Sequence, residues 1–370
     1  MDNTVNTNVE AAEIPAADVS AVETPDADSP AAETPAVSVK KKKQKNFEMP
    51  DRLTVSPAPF VKGPETVSTM MLDVIIALLP AFLWGMYVFG FRAAAIALVS
   101  VGSAVLSEAV VRFLLRRPVT IGDLSAAVTG LLLAMLLPVS VPLWVPAVGS
   151  CFAVVIVKQV FGGIGDNFVN PALTAWMFLN FFGDHLSRYT MPGTKINTFA
   201  ITVEEELTLA ADPLDALKAG QLPEYNLFDM MIGNIPGGIG EVSSLLLIAG
   251  GIYLLWRRVI SWHIPAAFIG TVVLLTFVMP QYGGIALDYM LYELFAGGLI
   301  LCAFFMATDT ATSPVTTLGK LIFGIGCGLL TVVIRYFCDP AEGTHCAILV
   351  MNLLVWPIEM LTMPRRFGGK

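Results

Sequence analysis

The stretch from Leu124 to Leu179 reads LSAAVTGLLLAMLLPVSVPLWVPAVGSCFAVVIVKQVFGGIGDNFVNPALTAWMFL and is apolar almost throughout. Two runs interrupt it, PVSVP at 138–142 and GGIGDNFVNP at 162–171. A chain in lipid must satisfy its own backbone groups, so irregular backbone is tolerated only where protein buries it or it lines a cavity. The breaks therefore indicate either a site built from interrupted helices within the membrane or plain loops between short spans.

The composition is typical of a polytopic membrane protein, since 55 % of the 370 residues are hydrophobic and the mean hydropathy is +0.70. The formal net charge of −8 comes from residues 1–39, which hold eight acidic side chains and no base. This distribution does not favour nucleic-acid binding.

The five cysteines form no CxxC pair, so no metal site is predicted, although Cys338 and Cys346 flank one loop and could form a disulfide. No basic segment with an apolar core begins the chain, so we expect no cleaved signal peptide.

Windowed hydropathy predicts an all-α integral membrane protein with about ten transmembrane helices, some of them interrupted. The predicted spans are Met70–Phe89, Ala93–Leu115, Leu124–Leu137, Leu143–Val160, Asn170–Phe182, Val242–Trp256, Ile264–Met279, Leu287–Met306, Leu318–Phe337 and Cys346–Thr362. Five spans precede the long polar stretch at residues 183–241, and five follow it. An odd number in each half predicts two halves of inverted orientation.

These spans divide the chain into six segments. They are a disordered acidic tail ending in a lysine cluster (1–45), a cytoplasmic entry segment (46–69), the first five-helix half (70–182), an extracytoplasmic loop (183–241), the second five-helix half (242–363) and a cytoplasmic C-terminus (364–370). Basic residues favour cytoplasmic loops. Ten crossings separate the bases well, with Lys40–Lys45, Arg112 and Arg257 on the cytoplasmic side and Arg92 and Arg335 among the few on the other.

Ionisable residues within or beside the spans are candidates for an ion path, because a charge in the bilayer is costly unless it is functional or paired. They are Asp73, Glu108, Asp123 and Asp309. Asp73 could instead be an interfacial carboxylate favoured by the helix dipole, and Glu108 could form an ion pair with Arg112 at i+4. Asp309 lies among threonines and a serine, which suits either a hard cation or a helix cap.

Glycines in the second break allow close backbone approach, so Gly162 and Gly163, with Asn170 nearby, are candidate cofactor contacts or simply turn residues. The histidines, including His345, fall at loop positions and are expected at the surface. No Ser-His-Asp set is evident. From the residues alone, a transporter, a channel and a redox subunit remain open.

Several stretches resemble the family that contains the D subunits of Rnf ion-translocating ferredoxin:NAD oxidoreductases and the B subunits (NqrB) of sodium-pumping quinone reductases. They cover nearly everything after residue 50 and include residues 53–81 (LTVSPAPFVKGPETVSTMMLDVIIALLPA), 156–173 (IVKQVFGGIGDNFVNPAL), 233–265 (GNIPGGIGEVSSLLLIAGGIYLLWRRVISWHIP) and 306–328 (MATDTATSPVTTLGKLIFGIGCG).

The resemblance implies a ten-helix subunit that is not catalytic alone, in the bacterial inner membrane with both termini cytoplasmic. Its partners would be other Rnf-type subunits, which pass electrons through flavins and couple this to Na⁺ or H⁺ movement. The same architecture is similar to urea and ammonium channels, so a passive channel is the alternative function.

The family resemblance also implies FMN joined by a phosphoester to a threonine that precedes the sequence Pro-Leu-Asp-Ala-Leu. This chain has Asp212 at that position, and a carboxylate would form a labile acyl phosphate. Thr208 is a hydroxyl four residues upstream, without the surrounding motif. We therefore expect FMN or riboflavin to be held non-covalently, between helices, where a flat ring suits an apolar cavity with a few polar contacts.

Overall fold

A computed structural model describes residues 66–117, 121–182, 186–194, 196, 198, 209–210, 212–241, 243–338 and 342–364. All of them belong to one unit that spans Lys62–Lys370. The predicted acidic tail, the lysine cluster, most of the entry segment, Thr208 and residues 365–370 lie outside the described residues.

The described chain is mostly helical, with one two-stranded antiparallel ribbon in the polar stretch. The helices before this stretch are α1 (Val67–Phe89), α2 (Phe91–Leu114), α3 (Ser125–Leu136), α4 (Trp144–Phe152, continued by a π-helical segment Ala153–Gln159) and α5 (Pro171–Asn180). The stretch itself holds β1 (Tyr189–Thr190), β2 (Leu209–Ala210), α6 (Pro213–Lys218) and α7 (Leu227–Ile232). After it come α8 (Ser244–Trp256), α9 (His263–Val278), α10 (Ala286–Phe295), α11 (Leu299–Leu301, continued by a π-helical segment Cys302–Met306), α12 (Thr317–Phe337), α13 (Gly343–Leu353) and α14 (Val355–Thr362).

These helices lie where hydropathy predicts spans, and most ends agree within three residues. Two predicted spans are sharply bent, one by 64° between α10 and α11 and one by 53° between α13 and α14. By length and apolar composition, three of the described helices could each cross a bilayer, and counting each bent pair as one span gives five. The structure thus supports a multi-pass helical protein, while four shorter apolar helices fall below the length of a full crossing.

The break between α3 and α4 follows Pro138, and its backbone carbonyls are satisfied from two directions. The guanidinium of Arg92 is fully buried and donates to the carbonyls of Val139 and Val141, both at 2.9 Å. The loop that leads into α8 closes the end of α3, since the Gly240 amide donates to the Met135 carbonyl at 2.7 Å. This pairing is what non-helical backbone within a membrane requires.

At the break between α10 and α11, a buried arginine again satisfies the free backbone carbonyls. Arg335 of α12 is 2 % exposed, and it donates to the carbonyls of Glu293 and Ala296 at 2.7 and 3.1 Å. It also pairs with the Glu293 carboxylate at 2.7 Å. The sequence alone predicted that Arg92 and Arg335 belong to the extracytoplasmic loops. That placement is wrong, because both are buried helical residues that cap broken helices.

Small residues bring the long helices of the second half into close contact. Gly324 and Gly328 of α12 face Ala267 and Thr271 of α9, so that the backbones approach directly. Small residues four positions apart are the usual means by which helices associate in membranes, where the hydrophobic effect between helices is absent. This contact holds α12 in place, and with it the Arg335 cap.

Candidate functional site

A cavity of about 440 Å³ opens between elements of the two halves. Its walls are mainly apolar, and a few polar groups converge on it. The apolar side chains include Met70, Met71, Val74, Val128, Leu132, Leu254, Phe304 and Phe305, and the polar ones include Ser125, Lys158, Asn167, Asn170, Thr308 and Asp309. Such a volume and lining fall within the range of small-molecule and cofactor sites.

Asn170, a predicted cofactor contact, lines this cavity and joins the two halves. Its Oδ1 accepts from the amides of Ala172 and Leu173 at 3.0 and 3.3 Å, which caps the N-terminus of α5. Its Nδ2 donates to the carbonyl of Met306 at 3.4 Å, where the π-helical segment after α11 ends. Sequence reasoning selected this residue because it lies near the glycines of the second break.

The other two predicted cofactor residues do not reach the cavity. Gly162 and Gly163 adopt φ values of +129° and +116°, and they form the turn that follows the π-helical segment after α4. The lining of the cavity instead includes their neighbours Ile164 and Gly165. Their positive φ values explain the glycines as turn residues, which is the alternative that the sequence left open.

Of the four predicted ion-path residues, Glu108 is the most deeply buried. Its carboxylate accepts from Lys158 Nζ at 3.1 and 3.2 Å and from Gln159 Nε2 at 2.9 Å, and Arg112 Nε lies 3.6 Å away. The predicted pair with Arg112 is present. Lys158 was missed because it follows a hydrophobic run and has the appearance of a cytoplasmic base, whereas only 2 % of it is exposed.

Asp123 and Asp73 also have fixed partners. Asp123 Oδ1 accepts from the amide and hydroxyl of Ser125 at 3.0 and 2.7 Å, and that hydroxyl in turn accepts from Lys158 Nζ at 2.5 Å. The structure therefore joins Asp123 to the Glu108 network. Asp73 lies apart from it, where α1 meets α8, and pairs with Arg257 at 3.0 Å and with the Tyr253 hydroxyl at 2.9 Å.

Asp309, the fourth residue, lies on the cavity wall after the π-helical segment Cys302–Met306. Its polar contacts are local: Oδ1 accepts from the amide of Ala311 at 3.3 Å, and Thr312 is close by. No described basic side chain forms an ion pair with it. Among the predicted ion-path residues, Asp309 is thus the one that borders the cavity without a described counter-charge.

Asp212, which stands at the family's FMN position, caps the N-terminus of α6. Its Oδ1 accepts from the Leu214 amide at 3.0 Å, directly before the proline that begins the helix. Burial, together with the nearby Glu342 carboxylate, raises the pKa of Asp212 to about 7. Because the side chain is engaged as a cap, the structure gives it a local role that requires no attached cofactor.

A cluster that sequence reasoning missed lies beside Asp212. It contains Glu241, Glu342 and His345, which are 5 %, 5 % and 1 % exposed. The expectation that His345 is a surface residue is therefore wrong: it lies in the first turn of α13, with its ring 4.4 Å from that of Trp176. Its position two residues after Gly343, at the start of an apolar run, gave no signal of burial.

Comparisons with known proteins agree on one family. The model of the NQR2, RnfD, RnfE family matches residues 54–368. The chain is 42% identical over 319 residues to the D subunit of the Na(+)-translocating ferredoxin:NAD(+) oxidoreductase complex of Acetobacterium woodii, across 85% of this chain and 95% of the relative. It is 36% identical over 328 residues to the D subunit of the proton-translocating ferredoxin:NAD(+) oxidoreductase complex of Clostridium ljungdahlii, across 86% and 96%. The D subunit of the ion-translocating oxidoreductase complex of Methanosarcina acetivorans is 34% identical over 318 residues, across 85% and 97%.

Proposed function

We propose that this chain, which belongs to the NQR2, RnfD, RnfE family, is the membrane-embedded D subunit of an Rnf-type complex that couples ferredoxin:NAD electron transfer to ion movement. The observation that carries this proposal is the 42% identity to a complex component of that kind, across 95% of its length. The relatives above are named as subunits, so the chain acts with partner subunits and is not catalytic alone. Their names favour this function over a passive urea- or ammonium-like channel.

The proposal includes ten crossings in two inverted halves, in the bacterial inner membrane with both termini in the cytoplasm. Two repeated features support the pairing of the halves. Each half has a broken helix whose carbonyls are capped by a buried arginine, Arg92 or Arg335. Each also has a π-helical segment followed by a polar turn and a helix that begins near a proline. Interrupted helices in corresponding positions are typical of inverted-repeat transporters.

The cavity between the halves would hold FMN or riboflavin without a covalent bond. Its 440 Å³ and aromatic wall of Phe304 and Phe305 suit a flat ring, and Asn170 and Lys158 provide polar contacts at its edge. A flavin there would supply an electron-transfer site within the membrane. Asp212 does not suit a covalent link, because it is a carboxylate already engaged as a helix cap. Thr208 remains the alternative attachment site.

For the ion path the structure favours Asp309 over the other candidates. Glu108, Asp73 and Asp123 each have fixed partners, and these contacts explain their burial without an ion. Asp309 borders the cavity, and its described contacts are with its own turn. Its carboxylate is an oxygen ligand of the kind that hard cations prefer, and it can equally carry a proton.

The function is tested in inverted membrane vesicles that contain the complete complex. Reduced ferredoxin and NAD should drive uptake of ²²Na⁺ or of protons, and deletion of this chain should abolish that uptake while the other subunits remain present. Persistence of uptake without the chain would rule out the proposal. Urea or ammonium flux by the purified chain in liposomes, with no redox partner, would favour the channel instead.

The flavin site is tested by filling the cavity. Val74 lines it, whereas Ile76 lies on the same helix, does not line the cavity and is 47% exposed. Val74→Phe should lower the amount of flavin released by acid from the purified chain, and Ile76→Phe should leave it unchanged. Equal flavin content in both variants would place the cofactor elsewhere.

A further inference from the structure

The cluster of Glu241, Glu342 and His345 lies outside the 440 Å³ cavity. The imidazole of His345 lies between the two carboxylates: Nδ1 is 3.1 Å from Glu342 Oε2, and Nε2 is 3.6 Å from Glu241 Oε1. Within the described part of the chain, neither ring nitrogen has a well-aligned hydrogen-bond partner, and nor does Glu241 Oε1 or Glu342 Oε2. Four unsatisfied polar atoms thus meet in one buried place, where each would be costly without a bound ligand or proton.

Among the described groups, Asp212 and Tyr189 face the cluster from the polar stretch, and the Cys302 thiol faces it from the segment after α11. The phenol and the thiol are uncharged near neutral pH, so Asp212 is the one of these three that can add negative charge. The nearest described cation is Arg335, which is engaged with Glu293 and with carbonyls. Two buried carboxylates beside a neutral imidazole would leave two uncompensated negative charges. Burial of such charges is strongly unfavourable, so the cluster must bind positive charge.

One ligand atom from each of the three residues lies within 4.8 Å of the other two, a spacing that a metal ion could also bridge. The two ring nitrogens contact different carboxylates, however, and a single metal ion would use only one of these contacts. A nitrogen ligand is also unsuited to Na⁺, which, as a hard cation, prefers oxygen ligands. An imidazole that contacts a carboxylate at each nitrogen is instead suited to proton exchange, because it can accept at one nitrogen and donate from the other.

We propose that Glu342, His345 and Glu241 form a proton-binding relay in which the imidazole passes a proton between the two carboxylates. In the elementary step the protonated Glu342 gives its proton to Nδ1, while the proton on Nε2 passes to the Glu241 carboxylate. One proton leaves Glu342, one arrives at Glu241, and the ring ends as the other neutral tautomer. The reverse step restores the starting state.

Asp212 is the natural exchange partner of the relay. A cavity of about 10 Å³ is lined by Asp212, Glu241 and Glu342 together with Gly297, and this is close to the minimum size for one water molecule. A water there could carry protons between Asp212 and either glutamate. The backbone amide of Gly298 donates to Glu342 Oε1 at 3.3 Å, so the relay touches the break between α10 and α11. This inference rests on the proposed function, since it places a proton site on the translocation route of the same chain.

Infrared titration of the purified full-length chain in lipid nanodiscs tests the relay without ferredoxin, NAD or partner subunits. The wild type should show a protonated-carboxyl band that is lost as the pH is raised. Glu241→Gln and Glu342→Gln should each remove part of the band, and His345→Gln should shift its midpoint by about one pH unit or more. Glu224→Gln, at an exposed carboxylate, and His263→Gln are the matched controls and should change nothing.

A second measurement needs no variant, so misfolding cannot obscure it. Na⁺ added at constant pH should leave the wild-type band unchanged relative to K⁺. A band that Na⁺ removes, or one that loses no intensity in Glu241→Gln and in Glu342→Gln, would overturn the relay. In vesicles with the complete complex, His345→Gln should lower proton movement per electron pair by roughly 10-fold or more. Absence of all driven ion uptake in the wild type would instead refute the proposed function and leave the infrared result standing.

Discussion

Replacement of Glu108 by glutamine should leave the Lys158 ammonium buried beside a neutral amide. The two groups are 3.1 Å apart, and at an effective dielectric of about 20 their attraction is about 5 kcal/mol. Removal of one partner from a buried pair typically costs about 3–5 kcal/mol, because the remaining charge has no compensation. We therefore expect Glu108→Gln to lower the free energy of unfolding by that amount.

Two further variants complete a double-mutant cycle. Lys158→Met should cost less than Glu108→Gln, because Glu108 keeps its contacts with Gln159 and Arg112. The double variant should recover most of the lost stability, since two neutral side chains need no counter-charge. Denaturant titration of the purified chain in detergent gives the three free energies, and Glu224→Gln is the exposed control.

The structural role of Glu108 would be refuted if Glu108→Gln were as stable as the wild type, or if the double variant were no more stable than this single one. If Glu108→Gln is stable and supports electron transfer but not ion uptake, the result would support a role of Glu108 in the ion path. Stability and transport measured on the same variant thus decide between the two explanations that the sequence left open.

Three other outcomes follow from the described contacts. Arg92→Gln should destabilise the chain by about 2–4 kcal/mol in the same titration. Arg92→Lys should lose less stability than Arg92→Gln but should remain less stable than the wild type, because one ammonium lacks the guanidinium's paired donors. The pKa of Asp212 is raised from 3.8 to about 7, so the folded state holds a proton that the unfolded state releases. Stability should therefore fall as the pH rises through this window, and Asp212→Asn should weaken that dependence in denaturant titrations at several pH values. The denatured wild-type chain should show no flavin fluorescence in a gel, and a bright band that Thr208→Ala removes would contradict non-covalent binding.

The positions of the helices could be read from the sequence because hydropathy is a local property. The windows around Met70–Phe89 and Leu318–Phe337 agree with α1 and α12 within three residues. The breaks at 138–142 and 162–171 were also visible, since proline and glycine interrupt the apolar run there. The break between α10 and α11 was not predicted, because hydropathy gives Leu287–Met306 as one span. The bend within α13–α14 was not predicted, although the sequence carries a signal for it. Pro357 cannot donate to the carbonyl of Leu353, four residues earlier, which is where α13 ends.

The partners of the buried charges could not be read in the same way. Glu108 and Arg112 are four residues apart on one helix, so a spacing rule finds them. Lys158 contacts Glu108 across 50 positions, and Arg335 caps Glu293 across 42. No periodic signal joins such residues, and a hydrophobic run with one base has the same appearance whether that base is buried or at the interface.

The corrected basic residues change the orientation argument without reversing it. Arg92 and Arg335 are buried caps, so they cannot be counted as loop charges on the extracytoplasmic side. Their removal leaves that side with fewer bases than the sequence suggested. Lys158 must also be removed, from the cytoplasmic side, because it belongs to the Glu108 network. The remaining asymmetry agrees with the proposal that both termini are cytoplasmic.

Buried charge in this chain follows one pattern, and the pattern separates structural groups from transporting ones. At the helix breaks, the arginines have carbonyl or carboxylate partners, as membrane burial demands. Glu108 and Asp73 are likewise matched to cations. Among the described residues, Asp309 and the cluster around His345 have no such counter-charge, although an unpaired charge is most costly where it is buried. Groups that must gain and lose an ion cannot be permanently paired, because a fixed counter-charge would hold them in one state. The unmatched groups are therefore where ion movement should be sought, and the matched ones are where stability should be measured.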